Sequence, residues 1–358
     1  MQHNIEDAEE HELYIGDEGK RNMVFSRRQM LSFGIALFLS VVFMWLLLRE
    51  IPNREIWSAL AHMSPVLAIA AFGIYGLIYL SRAVRFNSLL PKPLPLSKMF
   101  TIVCLHTLIT TTIPARMGEF SYPYLLRKQK VEYAESLSTL IASRLFDLVA
   151  VGIWFAVMLP FLRPIPQLTM NMLYTLLSMA TAGFLVLGML IFWKLQLKVM
   201  VDAIRTWMGL QNTRWLTKLQ RLVGMVLDTV KRYARRKVLI RLMLHSLVQW
   251  FLMFFFSFLV LRALGMQVTL PQSFVGSSLA MVVFLVPVQG MLGFGTTEAV
   301  WVLMFTALGF AKEQLIPLSF ASHIFSVICI AIMGTWGLLH MRTLANSAPT
   351  GRAKPHSD

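Results

Sequence analysis

The chain has 358 residues, 56% of them hydrophobic and only 14% charged, with a mean hydropathy of +0.63. Soluble domains carry about 25% charged residues, so the composition excludes a soluble enzyme, and the apolar runs are too long for β-barrel strands of about ten alternating residues. The net charge of +15 comes without a zinc knuckle, P-loop or RNA-binding signature. It therefore reads as membrane orientation and anionic-lipid contact, with no nucleic-acid partner.

Residues 1–28 open acidic (Glu6, Asp7, Glu9, Glu10, Glu12) and turn basic (Lys20, Arg21, Arg27, Arg28). They predict a disordered cytoplasmic tail. Met30–Leu48 follows with no small-residue cleavage site, which predicts a retained first span. Run length then predicts membrane segments at Pro65–Leu80, Met99–Pro114, Leu145–Leu162, Thr169–Phe192, Leu242–Leu261, Ser273–Gln289, Thr297–Ala311 and Leu315–Met341. The expected fold class is an all-α polytopic integral membrane protein of about eight transmembrane helices. Its membrane halves are 29–192 and 242–341, joined by a basic segment at 193–241 and closed by a cytoplasmic tail at 342–358.

Lys and Arg orient these segments. The 81–98 stretch carries Arg82, Arg85, Lys92 and Lys98, and 115–135 carries Arg116, Arg127, Lys128 and Lys130. The 193–241 stretch carries twelve such residues. All three are expected in the cytoplasm. Met99–Pro114 then begins and ends on one side, which predicts a re-entrant segment; such broken backbone is tolerated only where protein or a watery cavity surrounds it. Ser273–Gln289 and Thr297–Ala311 are short and separated by Gly290-Met291-Leu292-Gly293-Phe294-Gly295. They form either two short spans or one re-entrant hairpin entering from the opposite face. Two interrupted segments in corresponding halves point to a transporter site in an inverted arrangement. Between the halves, 194–237 is basic and amphipathic (Trp207, Trp215, Leu219, Val226). It predicts surface helices on anionic headgroups, with partner docking the lesser reading.

Intramembrane charges cost about 2.5–3.5 kcal/mol on insertion scales and ask for a partner or a pathway. Three clusters qualify. In Pro114-Ala115-Arg116-Met117-Gly118-Glu119, the proline ends a helix, Gly118 permits close approach, and Arg116 and Glu119 share a face if the turn is helical; the bland alternative is a self-neutralising pair at a cytoplasmic helix end. In Ser143-Arg144-Leu145-Phe146-Asp147, Arg144 and Asp147 are again three apart at an expected helix start; the alternative is an ion pair locking two helices, or a snorkelling arginine. In Gln289-Gly290 through Gly293-Phe294-Gly295-Thr296-Thr297-Glu298, glycines free the backbone and a helix begins beside an acid. That pattern suits a phosphate, or simply a capped helix.

His106, His245 and His323 read as hydrogen-bonded packing residues rather than proton carriers. Cys104 and Cys329 lie apart in apolar segments and predict neither a disulfide nor a metal cluster. No Ser-His-Asp set, HExxH or GxSxG appears. No enzyme activity, cofactor or metal site is expected.

At the three clusters the sequence resembles the lysylphosphatidylglycerol synthase transmembrane-domain, or flippase-like, family over roughly residues 30–341. Pro114-Ala115-Arg116-Met117-Gly118-Glu119 with Tyr124-Leu125-Leu126-Arg127 resembles its first motif. Arg144-Leu145-Phe146-Asp147 resembles its Arg-x-x-Asp step, and Pro287 through Glu298 its Gly-rich motif. Ser143 stands where many relatives have an acid, and Gln289-Gly290-Met291 where many have small residues. The resemblance implies a bacterial or archaeal inner-membrane protein whose best-understood relatives move an aminoacylated phospholipid between leaflets. Those relatives carry a soluble aminoacyl-transferase domain, so lipid synthesis is not expected of this chain.

The expected function is translocation of an anionic phospholipid or lipid-linked headgroup, without ATP, the oligomeric state being left open. Arg116 and Arg144 bind phosphate. Gly290, Gly293, Gly295, Thr296 and Thr297 offer the turn, and Glu119, Asp147 and Glu298 balance charge. The rivals are a scaffold for a lipid- or glycan-modifying enzyme, docking through 194–237, and, further off, an intramembrane transferase.

Overall fold

The computed structural model describes residues 53–113, 118–162, 236–283 and 291–341, with Tyr174 and Ser178. The expected spans Met30–Leu48 and Thr169–Phe192, both tails, and the basic segment up to residue 235 lie outside the described residues, as do Arg116 and Gly290. The described chain is helical throughout. Helices α1 (Asn53–Ala61), α2 (Pro65–Leu89), α3 (Leu96–Thr112), α4 (Ser121–Arg127), α5 (Tyr133–Met158), α6 (Arg236–Ala263), α7 (Leu270–Val283), α8 (Thr296–Ala307) and α9 (Lys312–Leu339) follow in order. Among the described residues four helical stretches are long and apolar enough to cross a membrane: Pro65–Leu89, Glu135–Phe161, Lys237–Ala263 and Lys312–Leu339. At about 1.5 Å per residue each exceeds the ~30 Å hydrocarbon core.

Two expected boundaries are corrected, with consequences for the site. Helix α2 does not stop at Leu80. It starts on Pro65, whose fixed φ suits a first helical position, and runs to Leu89. The expected loop at 81–98 therefore shrinks to 90–95, and Arg82 and Arg85 belong to the helix. The stop is Pro91, Pro93 and Pro95, which cannot continue a helix. Asn87 pins this turn, donating to the Leu94 carbonyl at 2.8 Å and accepting from the Leu94 amide at 2.8 Å. Likewise α5 begins at Tyr133 rather than Leu145, so Arg144 and Asp147 sit three turns inside it.

Helix α6 is the central strut. It runs antiparallel to α2: Ser246 meets Arg85 near one end, Phe256 packs at a tilt against Tyr75, and the Ser64 amide donates to the Ala263 carbonyl at the other. One face of α6 (Phe256, Val260, Leu264) joins a core with α2, α3 and α9. Another (Trp250, Phe254, Leu261) joins a core with α5, α7 and α8.

Two helical hairpins enter this frame from opposite ends. The first begins with α3 at the Leu89 end. Ile113, before Pro114, turns extended, and the chain then returns along α3, with Gly118 against Thr110 and Ser121 against His106. The second begins with α7 at the Ala263 end and returns as α8, with Gly276 against Phe305. The turn at Met291–Gly293 between them packs on α3. Helix α9 flanks both hairpins, touching α3 at Leu108 and Cys104 and α8 at Glu298. Small residues allow that approach: a Cβ on Gly337 would lie 2.8 Å from the Cys104 Cβ, and one on Gly334 2.8 Å from Leu108. Gly337→Val is expected to lower stability by about 1–3 kcal/mol through overpacking, read as a lower midpoint of thermal unfolding in detergent.

Candidate functional site

The first polar cluster is buried where α2, α3, α5 and α6 meet. Asp147 is 4% exposed and Arg85 2%. Arg85 grips Asp147 in a bidentate pair, its Nη1 on Oδ1 and its Nη2 3.3 Å from Oδ2. Nη1 also donates to the Ser246 hydroxyl at 3.1 Å, and the Trp250 indole donates to Asp147 Oδ1 at 2.9 Å. A planar guanidinium matched to a carboxylate is the strong form of a charged hydrogen bond. The expected Arg144–Asp147 pairing is thus secondary, at 3.7 Å.

Arg144 turns instead to Glu119 on the returning arm of the first hairpin, donating Nη2 to Oε1 at 2.5 Å. Its side chain stays 44% exposed while Glu119 is 18% exposed. The other Glu119 oxygen is buried with no hydrogen-bond donor, and His106 Nε2 stands off at 3.9 Å. The His106 Nδ1 is taken up by the hydroxyls of Ser121 at 2.9 Å and Thr110 at 3.3 Å. Arg82 completes the cluster. It donates to the Thr107 hydroxyl at 3.0 Å and faces no carboxylate among the described residues. Three guanidinium groups (Arg82, Arg85, Arg144) thus meet two carboxylates (Glu119, Asp147). Among the described residues the cluster carries surplus positive charge, and one acid in it is half satisfied.

The second cluster closes the other hairpin. Leu292, Gly293 and Gly295 all take positive φ (55°, 78° and 82°), a run of left-handed backbone that glycine makes affordable. A Cβ at Gly293 would lie 2.8 Å from the Thr297 hydroxyl. The Thr296 hydroxyl donates to the Gly293 carbonyl at 3.2 Å. Glu298, 2% exposed, accepts from the Gly295 amide through Oε2 at 2.7 Å. This turn amide, expected to face a phosphate, is held by the chain's own acid. Glu298 Oε1 lies 2.5 Å from His323 Nδ1 on α9, and His323 Nε2 lies 3.1 Å from the Leu292 carbonyl.

The structure brings Glu119, Arg144 and Asp147 together, and separately Gly293, Gly295, Thr296, Thr297 and Glu298. Helix α3 packs against both groups. Sequence reasoning missed Arg82, Arg85, Ser246 and Trp250; it read His323 as a hydrogen-bonded residue, as it is, without naming Glu298 as the partner. Arg82 and Arg85 had a readable signal: no Gly or Pro breaks the chain between Arg82 and Pro91, so the helix had no reason to end at its first charge. Among the described residues no three His, Cys, Asp or Glu side chains converge as metal ligands.

Comparison with curated proteins gives no match. A family model does match, over residues 31–334, and its description is the lysylphosphatidylglycerol synthase TM region. With four helices among the described residues fit to span a bilayer, and with that match covering most of its length, this chain is a multi-pass membrane protein that belongs to the lysylphosphatidylglycerol synthase TM region family.

Proposed function

We propose that the protein moves an anionic phospholipid or lipid-linked headgroup between the leaflets of the bacterial cytoplasmic membrane, both chain termini lying in the cytoplasm. In this reading it is a transporter and not an enzyme. The observation that carries the reading is the surplus of guanidinium groups over carboxylates among the described residues, beside a half-satisfied acid. Arg144 is held by one oxygen of Glu119 and remains 44% exposed, and Arg82 donates to the Thr107 hydroxyl with no carboxylate partner among the described residues. A phosphate offers more acceptor lone pairs than one carboxylate oxygen, so it replaces Glu119 at Arg144 and engages Arg82. Arg85 and Asp147 satisfy each other and hold the frame. In this reading lipid tails stay in the bilayer while the headgroup crosses. The family match supports a role in lipid modification or transport, and the basic 194–237 stretch supplies contact with anionic headgroups.

The test is purified protein in liposomes carrying headgroup-labelled phosphatidylglycerol, read by loss of fluorescence to an impermeant quencher. Arg144→Ala and Arg82→Ala are each expected to slow movement about ten- to hundredfold, the worth of one charged hydrogen bond at about 1.5–3 kcal/mol, with an unchanged gel-filtration profile. Absence of movement with every labelled lipid would overturn the reading in favour of a scaffold for a lipid- or glycan-modifying enzyme.

A further inference from the structure

The Glu298–His323 pair lies apart from the guanidinium cluster, and its hydrogen bonds fix its proton count. A backbone carbonyl only accepts, so the 3.1 Å contact between His323 Nε2 and the Leu292 oxygen requires a proton on Nε2. At 2.5 Å, Nδ1 and Glu298 Oε1 must share one further proton. Glu298 Oε2 accepts from the Gly295 amide at 2.7 Å and has no room for a proton facing that donor. The contact needs that shared proton: remove it and two acceptors face each other at 2.5 Å.

We infer that Glu298 and His323 form a proton-binding site whose change in proton count releases the 291–295 turn from α9, making the proton the coupling ion for headgroup movement. This rests on the transport reading above. Three features favour release over simple disruption. The turn is fastened to α9 through this pair and the ring contact of Phe294 on His323, with centroids 4.5 Å apart. Its backbone is held left-handed at Leu292, a conformation a leucine leaves readily. The tip also packs on α3, which carries His106 of the guanidinium cluster, so a loosened turn is felt there. Glu298 is the single titratable group of α8. On α9, Lys312 and Glu313 lie at the far start of the helix, and Cys329 lies nearly two turns beyond His323. On α3, Lys98 is in the first turn, Cys104 faces Gly337 and His106 faces Ser121.

Two measurements on the full-length protein test this. The first is hydrogen exchange of 291–299 in lipid nanodiscs across a pH series of about 5 to 8. Wild-type exchange is expected to rise about tenfold or more on leaving the protected pH, one charged hydrogen bond being lost. Glu298→Gln and His323→Asn are expected to exchange fast at every pH. Exchange that is flat with pH in the wild type would overturn the proton site. The second is the liposome assay with wild-type protein and an imposed pH gradient, in which the final lipid asymmetry is expected to follow the gradient and reverse with it. Movement of labelled phosphatidylglycerol that ignores the gradient would overturn the coupling and leave the transport reading standing. No movement at all would overturn the transport reading, and the proton site would then stand or fall on the exchange data alone.

Discussion

Asp147→Ala is expected to destabilise the protein by about 3–5 kcal/mol, because it strands a charge inside the bundle. Arg85 is 2% exposed and loses both carboxylate contacts. Its Nε already lacks a partner, and the Ser246 hydroxyl alone cannot compensate a guanidinium. The Trp250 indole loses its acceptor as well. The measurement is the midpoint of unfolding in mild detergent by circular dichroism, with the reversible transition followed against a denaturing detergent. A well-packed apolar pair costs far less than one unmatched charge. Arg85→Met with Asp147→Leu is therefore expected to recover most of the loss. Near-wild-type stability of Asp147→Ala alone would show that Arg85 has a second anionic partner. The comparison separates framework from site: the double variant is expected to keep lipid movement if Arg82 and Arg144 do the binding.

Gly118→Ala is expected to open the first hairpin and abolish lipid movement. A Cβ at this position would stand 2.4 Å from the Thr110 Cα and 2.7 Å from both the Ile109 oxygen and the Thr110 nitrogen. These are backbone atoms of α3 and cannot swing aside as a side chain would, so the returning arm must shift. Ser121 then leaves His106 and Glu119 leaves Arg144, because both contacts depend on that arm lying flat on α3. Overpacking of this kind costs about 1–3 kcal/mol, which leaves a foldable protein with a displaced site. The check is the liposome assay together with hydrogen exchange of 104–121, where protection is expected to fall. Normal movement by Gly118→Ala would mean that the arm does not carry the site.

Much of this was readable from residue order alone. The length of the apolar runs identified long helices, since a bilayer demands internally bonded backbone over about 20 residues. The prolines and glycines marked both broken segments, since their constraints on φ and on close approach are local. Glu119, Arg144, Asp147 and Glu298 stood out because charges are rare in apolar runs. Pairing was not readable. Sequence spacing matched Arg144 with Asp147 at three residues. Asp147 instead takes Arg85, 62 residues away, and Glu119 takes Arg144, 25 residues away. A buried carboxylate chooses the partner that satisfies it most completely, and which guanidinium can reach it bidentately is decided by how α2, α5 and α6 cross. Arg82 and Arg85 read as loop charges for a related reason: counting basic residues assigns them to the membrane surface, and only the packing of α3 and α5 against α2 shows that partners were waiting inside. The meeting of His323 with Glu298 belongs to the same class. Local chemistry determined which segments are helices, where they break and which residues are costly to bury; the tertiary fold alone decided which of those costly residues neutralise each other and which are left with charge to spare.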